Sequence, residues 1–599
     1  MSLLGLRINK IKIALLAILT GLVGATFALS PQIGYWRDNG WSSQSIYAIN
    51  DNDEVAYAAY VQSLIEGRPR RNSPYSGNGD GESGNLGESI FSVQVLASYP
   101  VALLGRALGL SSSTAFIIFS AFYGFLAGLS VFYLFFVIFH KPFLSFTGAI
   151  IVIAAGALAA GQGSIMRSLV PDSIYYGIAF PFARRLVPLA GFPLLFLFFA
   201  SVWQYLSTLT IKRYAWLAAS CVMFAGLVFT YFYLWTTAVA WVFGLGLLIV
   251  LIRPERFKSQ LFSLAKLGAA MIVVLAPYFL LLRNRSGSTD SIQLLEFSRN
   301  PDLFRISEIL SLGIIIVYLS LALLRKTRLR EFRTLFLLSF ALVPFIVFNQ
   351  QILSGISLQP LHYQFYAANY TLLFALMGLF FLILSGEKFK FENALILLVA
   401  ALGLFIGTRE LLEQRTLDGL RKDIAPVAEH LQKVATPSDM VLAFDLTRFG
   451  FSVSDELPAL SSTPVLWAPH QNVFGDLTPQ QSLERFFCFV YLQDKDEYWL
   501  RKQIDDGYPL VEQGLWGWER KEELSSAGQL TKSDADSKID SFRNFAQRFD
   551  RIEAEKYPIS YVLVHKFSNP SFTNIDKYYR REIVWNSAFY ELYATRLRD

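Results

Sequence analysis

From Ile13 to Leu29 the chain reads IALLAILTGLVGATFAL, and the acidic cluster Asp51-Asn52-Asp53-Glu54 follows a little further on. The first stretch carries no charge. As a helix it approaches the roughly 20 residues needed to cross about 30 Å of hydrocarbon. Arg7, Lys10 and Lys12 precede it. No small-x-small cleavage pattern follows, so the run is expected to stay as a first span with its N-terminus in the cytoplasm. A carboxylate cluster just beyond that span points to chemistry beside a bilayer.

Further apolar runs recur along the chain. They predict spans near 113–139, 143–160, 187–209, 213–232, 234–252, 261–282, 307–324, 334–352, 365–385 and 392–408, about eleven with the first. Of the 599 residues 53% are hydrophobic and 17% charged, against about 25% charged in ordinary soluble domains. The expected architecture is a polytopic all-α membrane domain over 1–408 and a soluble α/β domain over 409–599. Basic residues mark one set of loops: Lys141; Lys212 and Arg213; Arg253, Arg256 and Lys258; Arg325, Lys326, Arg328 and Arg330; Lys388 and Lys390. The positive-inside rule puts these in the cytoplasm. An odd number of crossings then places the first external loop (30–112) and the C-terminal domain on the same, extracytoplasmic side.

The net charge of +6 gathers largely at span ends, so nucleic acid is not needed to explain it. Two cysteines, Cys221 and Cys488, imply no disulfide framework. Five histidines are too scattered to read as a metal site. Within 30–112 a helix is predicted over Asp53 to Glu66, and Ser89 to Leu108 reads as an interfacial or re-entrant helix. Asn78-Gly79-Asp80-Gly81-Glu82 lacks the ligand spacing of a calcium loop and reads as a plain turn-rich connection. In the C-terminal domain helical periodicity runs over Arg409 to Lys433. Thr478 is placed to cap a helix reaching Leu492, Met440 to Phe444 and Tyr561 to Val564 read as buried strands, and Glu582 to Thr595 reads as a strand pair. Asp445 and His470 have no partner at catalytic spacing in the sequence.

Three groups of residues could carry chemistry. The first is Asp51, Asp53 and Glu54. A carboxylate can take a proton from an acceptor hydroxyl or hold a cation, and it is favoured at a helix N-terminus. The same residues could equally do no more than start a helix. The stretch Asp53-Glu54-Val55-Ala56-Tyr57-Ala58-Ala59-Tyr60, with Leu64, Glu66-Gly67 and Pro69 beyond it, resembles the first external loop of GT-C glycosyltransferases. Protein mannosyltransferases and lipid A aminoarabinose transferases belong to that superfamily. The resemblance implies a multispan enzyme that uses a polyprenyl-phosphate-linked sugar, with Asp53 as base or metal partner and Glu54 in support. It admits a divalent cation, Mg or Mn, without requiring one. The acceptor would be a glycan, lipid or protein, and the setting a bacterial inner (plasma) membrane.

The second group lies between the third and fourth predicted spans. Arg167, Arg184 and Arg185 run against the positive-inside trend, and guanidinium forks suit the phosphate of a lipid carrier. They could instead meet lipid headgroups or neighbouring carbonyls. Asp172, the carboxylate of that loop, is a second acidic candidate or a turn residue. The third group is Asn349, Gln350 and His362, polar positions entering apolar sequence, which suit contact with the sugar or the acceptor; a solvated loop is the plainer reading. A transporter or flippase for lipid-linked glycans would instead place charges in mid-span, and the predicted spans are nearly free of them. A non-catalytic cell-envelope scaffold is the other alternative.

Overall fold

The computed structural model describes residues 3–40, 46–78, 87–170, 178–286, 295–324, 328–386, 392–413, 421–444, 452–517, 531–568 and 570–599. Asp172, Asp445 and most of the Gly-rich run lie outside them. The chain forms two compact units. One comprises Met1–Trp41, Ile117–Leu280 and Glu296–Thr416; the other comprises Ser42–Phe116, Leu281–Leu295 and Leu417–Asp599.

The first unit is a helical bundle. Among the described residues seven helices of the chain are long and apolar enough to cross a membrane: Lys10–Ala28, Ser112–Phe139, Phe232–Ile252, Phe257–Arg283, Ile306–Leu323, Pro360–Leu384 and Glu392–Glu413. Many of their large apolar side chains, such as Leu22, Ile272, Leu280, Leu398 and Phe405, face outward. That surface suits lipid rather than water, and the protein is an integral membrane protein. Each remaining predicted span also falls on a helix, but a shorter one. Phe192–Ser207, Arg213–Val228 and Phe332–Val347 have 16 residues each and Pro142–Ala154 has 13. Sixteen residues rise about 24 Å, short of the hydrocarbon thickness. The helix from Pro142 breaks at Ala155 because Tyr370 packs at Gly156, where a Cβ would stand 2.5 Å from the Tyr370 hydroxyl. The Asn369 amide donates to the Gly156 carbonyl at 2.8 Å, so the break leaves that oxygen satisfied.

Aromatic rings fill the bundle's centre. Phe199 meets Trp241 and Phe340 at ring distances of 4.7 and 4.8 Å, and Phe374 meets Phe135 and Phe340 at 4.4 and 4.6 Å. Small residues do the converse between the helices Leu3–Ala28 and Ser112–Phe139, where Gly24, Gly124 and Gly128 let the backbones touch.

The second unit is α/β. Its sheet has four strands, β1 (Met440–Phe444), β2 (Ile559–His565), β3 (Tyr579–Asn586) and β4 (Tyr590–Leu597), in the order β1-β2-β4-β3. β1 and β2 are parallel, with Leu442 opposite Val562; β2–β4 and β4–β3 are antiparallel. The helices Pro479–Leu492 and Lys532–Arg548 bury Phe486, Phe487, Phe542 and Phe545 in the same core as Leu442 and Val562. Thr478 caps the first of these as its hydroxyl predicts: its Oγ accepts from the Gln481 amide at 3.2 Å, while Gln481 Oε1 accepts from the Thr478 amide at 2.9 Å.

The linear boundary at 408 does not describe this unit. Residues 46–78 and 87–116 belong to the same compact body as the C-terminal strands. The helix Asp53–Ile65 packs against Val453–Ser461. The Val465 amide donates to the Tyr75 carbonyl at 2.8 Å, the Ser112 hydroxyl donates to the Ala459 carbonyl at 2.8 Å, and Phe91 stacks on Phe474 at 4.6 Å.

Candidate active site

Asp51, Asp53 and Glu54 open the helix Asp53–Ile65, but they do different things there. Asp51 Oδ1 accepts from the Asp53 amide at 3.0 Å, and Glu54, wholly buried, accepts from the Asn50 amide at 3.1 Å. Asp51 therefore satisfies an amide of the first turn, and Glu54 one in the segment that leads into the helix. The Asp53 carboxylate is 49% exposed, and its Oδ1 lies 3.6 Å from Nε2 of His470. That is ion-pair range, longer than a hydrogen bond.

His470 sits on the short 3-10 turn Pro469–Phe474. Its Nδ1 lies 2.5 Å from Asp455 Oδ2, and its backbone amide donates to Asp455 Oδ1 at 3.2 Å. Asp455 stands in the first turn of Val453–Ser461. Side-chain exposure is 11% for Asp455 and 6% for His470. The result is a carboxylate–imidazole–carboxylate row with two buried members and one half-exposed end. Burial is the largest single influence on His470 and disfavours its charged form. The Asp455 and Asp53 carboxylates together outweigh it and raise the imidazole to about 10. His470 is thus an imidazolium at neutral pH. Around the row, the Tyr75 hydroxyl donates to the Asp455 carbonyl at 3.3 Å and the Gln513 amide donates to the Pro469 carbonyl at 2.7 Å. The side-chain amide of Gln471 is fully buried and has no hydrogen-bond partner among the described residues.

Among the described residues no three His, Cys, Asp or Glu side chains gather as metal ligands would. Asp51 and Glu54 are held by backbone amides, and Asp53 faces a cation. A divalent ion does not fit this donor set.

In the first unit, Arg184 and Arg185 are buried rather than loop-exposed. Arg185 donates through Nε to the Ser120 hydroxyl at 2.7 Å, and the Arg184 guanidinium lies 5.3 Å from the Tyr366 ring centre. The other neighbours of that ring include His362, at 5.5 Å, and His362 lies 4.7 Å from Tyr233. Arg184 and His362 therefore share one aromatic cluster. Arg167, at the end of the short helix Gly163–Leu169, is exposed. Asn349 is committed to the fold: its amide donates to Glu308 Oε1 at 3.0 Å and to the Phe345 carbonyl at 3.0 Å, and its oxygen accepts from the Asp302 amide at 3.0 Å. Gln350 donates to the Ile356 carbonyl at 2.8 Å. Both also line an apolar cavity of about 470 Å³ with Trp235, Phe243 and Tyr363.

His470 and Asp455 were not recognisable as partners in the sequence. The one local signal was an acidic pair, Asp455-Glu456, fifteen residues before a histidine, and nothing in it names Asp53. No model of a known protein family matches this chain, and no curated protein matches it. The fold by itself defines a class, an integral membrane protein with a helical bundle and a C-terminal α/β part.

Proposed function

We propose that this protein is an integral-membrane glycosyltransferase of GT-C type, which moves a sugar from a polyprenyl-phosphate carrier to an acceptor hydroxyl at the outer face of a bacterial plasma membrane. Asp53 is the general base. It takes the acceptor's proton as the acceptor oxygen bonds to the anomeric carbon. The bond from that carbon to the phosphate oxygen breaks, and the carrier phosphate leaves with the electron pair. The observation that carries this reading is the half-exposed Asp53 carboxylate set against the buried His470–Asp455 pair. A base must reach substrate on one side and be held on the other.

The reading includes eleven crossings with the N-terminus cytoplasmic. The composition of the second unit supports that count. Its three segments, 42–116, 281–295 and 417–599, all fall on the extracytoplasmic side when the chain crosses eleven times. An even number of crossings between any two of them allows them to fold together.

The test is Asp53→Asn, assayed for transfer from a radiolabelled polyprenyl-phosphate sugar. Loss of about 10²–10⁴-fold in turnover is expected for a missing general base. Turnover equal to that of the parent protein ends the assignment.

A further inference from the structure

The buried half of the row has no role in the step just described, yet burying it is expensive. A carboxylate and an imidazolium withdrawn from water bring a desolvation penalty that well-packed apolar side chains would avoid. The helix start needs no such arrangement, since Asp51 already serves its first turn and Glu54 the segment leading into it. What the pair does have is direction. Asp455 holds His470 by two contacts, one to the ring and one to the backbone, so the ring cannot swing. The held ring turns Nε2 toward Asp53, and the C-terminal part of the chain thereby reaches the carboxylate of the first external loop.

We infer that Asp455 and His470 form a positioning pair for Asp53: Asp455 fixes the imidazole, and the imidazole holds the Asp53 carboxylate as an anion in the orientation that receives a proton. This rests on the reading of Asp53 as base, and it gives the C-terminal part of the chain a place in the site. A fixed cation beside Asp53 keeps it ionised. Without that cation, Asp53 would face the Asp455 carboxylate alone and take up a proton more readily. The charges acting on His470 are those of Asp455 and Asp53. Glu456 on the same helix as Asp455 is paired with Arg421, and Glu54 serves the Asn50 amide. Tyr75 contributes a neutral hydroxyl. The helix Ile90–Val93, packed against Pro469–Phe474, carries no charge, and Pro479–Leu492 brings Glu484 and Arg485.

The experiment uses the full chain in detergent or nanodiscs with 15N-labelled histidine. Five histidines are present, and His470→Gln identifies the His470 signal. Asp53→Asn, a substitution at a half-exposed position, is expected to lower the His470 titration point by about one pH unit, as loss of an opposite charge at this range does. Asp455→Asn should lower it further. This readout needs no sugar transfer. In parallel, the pH profile of transfer is measured for His470→Gln; the acidic limb should move up by about one unit, with kcat falling more than KM changes. An unmoved His470 signal in Asp53→Asn overturns the pairing, even if Asp53 proves essential for transfer. A shifted signal in a protein that transfers no sugar upholds the pairing and sinks the glycosyltransferase reading instead.

Discussion

The guanidinium of Arg421 and the carboxylate of Glu456 form an ion pair that neither side chain exposes, at 0% and 2%. Arg421 also donates to the Tyr47 carbonyl and lies 4.0 Å over the Tyr47 ring. One residue therefore ties the segment around Tyr47 to two helices of the C-terminal part. Removing one charge of such a pair leaves the other buried without compensation, which costs about 3–5 kcal/mol. Glu456→Gln and Arg421→Met are each expected to lower the unfolding temperature of the solubilised protein markedly. The double variant Arg421→Met with Glu456→Leu should lie closer to the parent than either single change. Single variants that melt with the parent would remove the pair from the account of stability.

The His470–Asp455 contact gives stability a pH dependence. Unfolded, the imidazole titrates near its ordinary value of about 6.5; folded, it is raised to about 10. The folded state therefore binds the proton more tightly. The contribution is fully present below about 6.5 and is lost as pH rises through about 10. Thermal unfolding followed from pH 6 to pH 10.5 should show stability falling across that window. Asp455→Asn should flatten the fall, and an identical slope in that variant would contradict the assignment.

Helix contact through small residues makes a sharp steric prediction. A Cβ at Gly124 would stand 2.5 Å from the Ala28 Cβ and 2.6 Å from the Gly24 carbonyl oxygen, and one at Gly128 would stand 3.0 Å from the Gly21 Cα. Backbone cannot yield as a side chain can, so even Gly124→Ala should destabilise by about 1–3 kcal/mol. Gly268, inside Phe257–Arg283, has open space around the same position. Gly268→Ala is expected to be neutral or slightly stabilising through helix propensity. The melting curve of Gly124→Ala should fall well below that of the parent, and that of Gly268→Ala at or slightly above it. Equal behaviour would discount the backbone contact.

Glu410, buried near the end of Glu392–Glu413, accepts from the Ser164 amide at 2.9 Å and the Ile165 amide at 3.3 Å. It thereby satisfies the open donors of the short helix Gly163–Leu169. Gly163 has φ +88°, and a Cβ there would be 2.6 Å from Glu410 Oε1. Glu410→Leu leaves one buried and one half-buried amide unserved, at about 1–3 kcal/mol, and Gly163→Ala displaces the carboxylate. Both should speed amide exchange at Ser164 and Ile165. Protection unchanged from the parent would show that the cap is not what holds that turn.

Much of the local structure was legible. The helix from Asp53, the Thr478 cap, the strands around Leu442 and Val562 and the terminal strand pair all follow from periodicity and capping. Each predicted span falls on a helix, but four of those helices are shorter than their apolar runs, and among the described residues seven are long and apolar enough to cross a membrane. Hydropathy measures where a segment is content to lie, and the helix ends depend on packing such as Tyr370 at Gly156. The glycines 24, 124 and 128 were visible and carried no message until the helices that use them were side by side.

Local interactions between residues a few positions apart determined the elements, because capping, periodicity and apolarity act within a turn or two of backbone. The association of residues 53, 455 and 470, and of 47, 421 and 456, was decided only in the folded chain. Charge attraction across hundreds of residues takes effect once burial brings the groups within a few ångströms and removes the water between them, and no spacing along the chain records that.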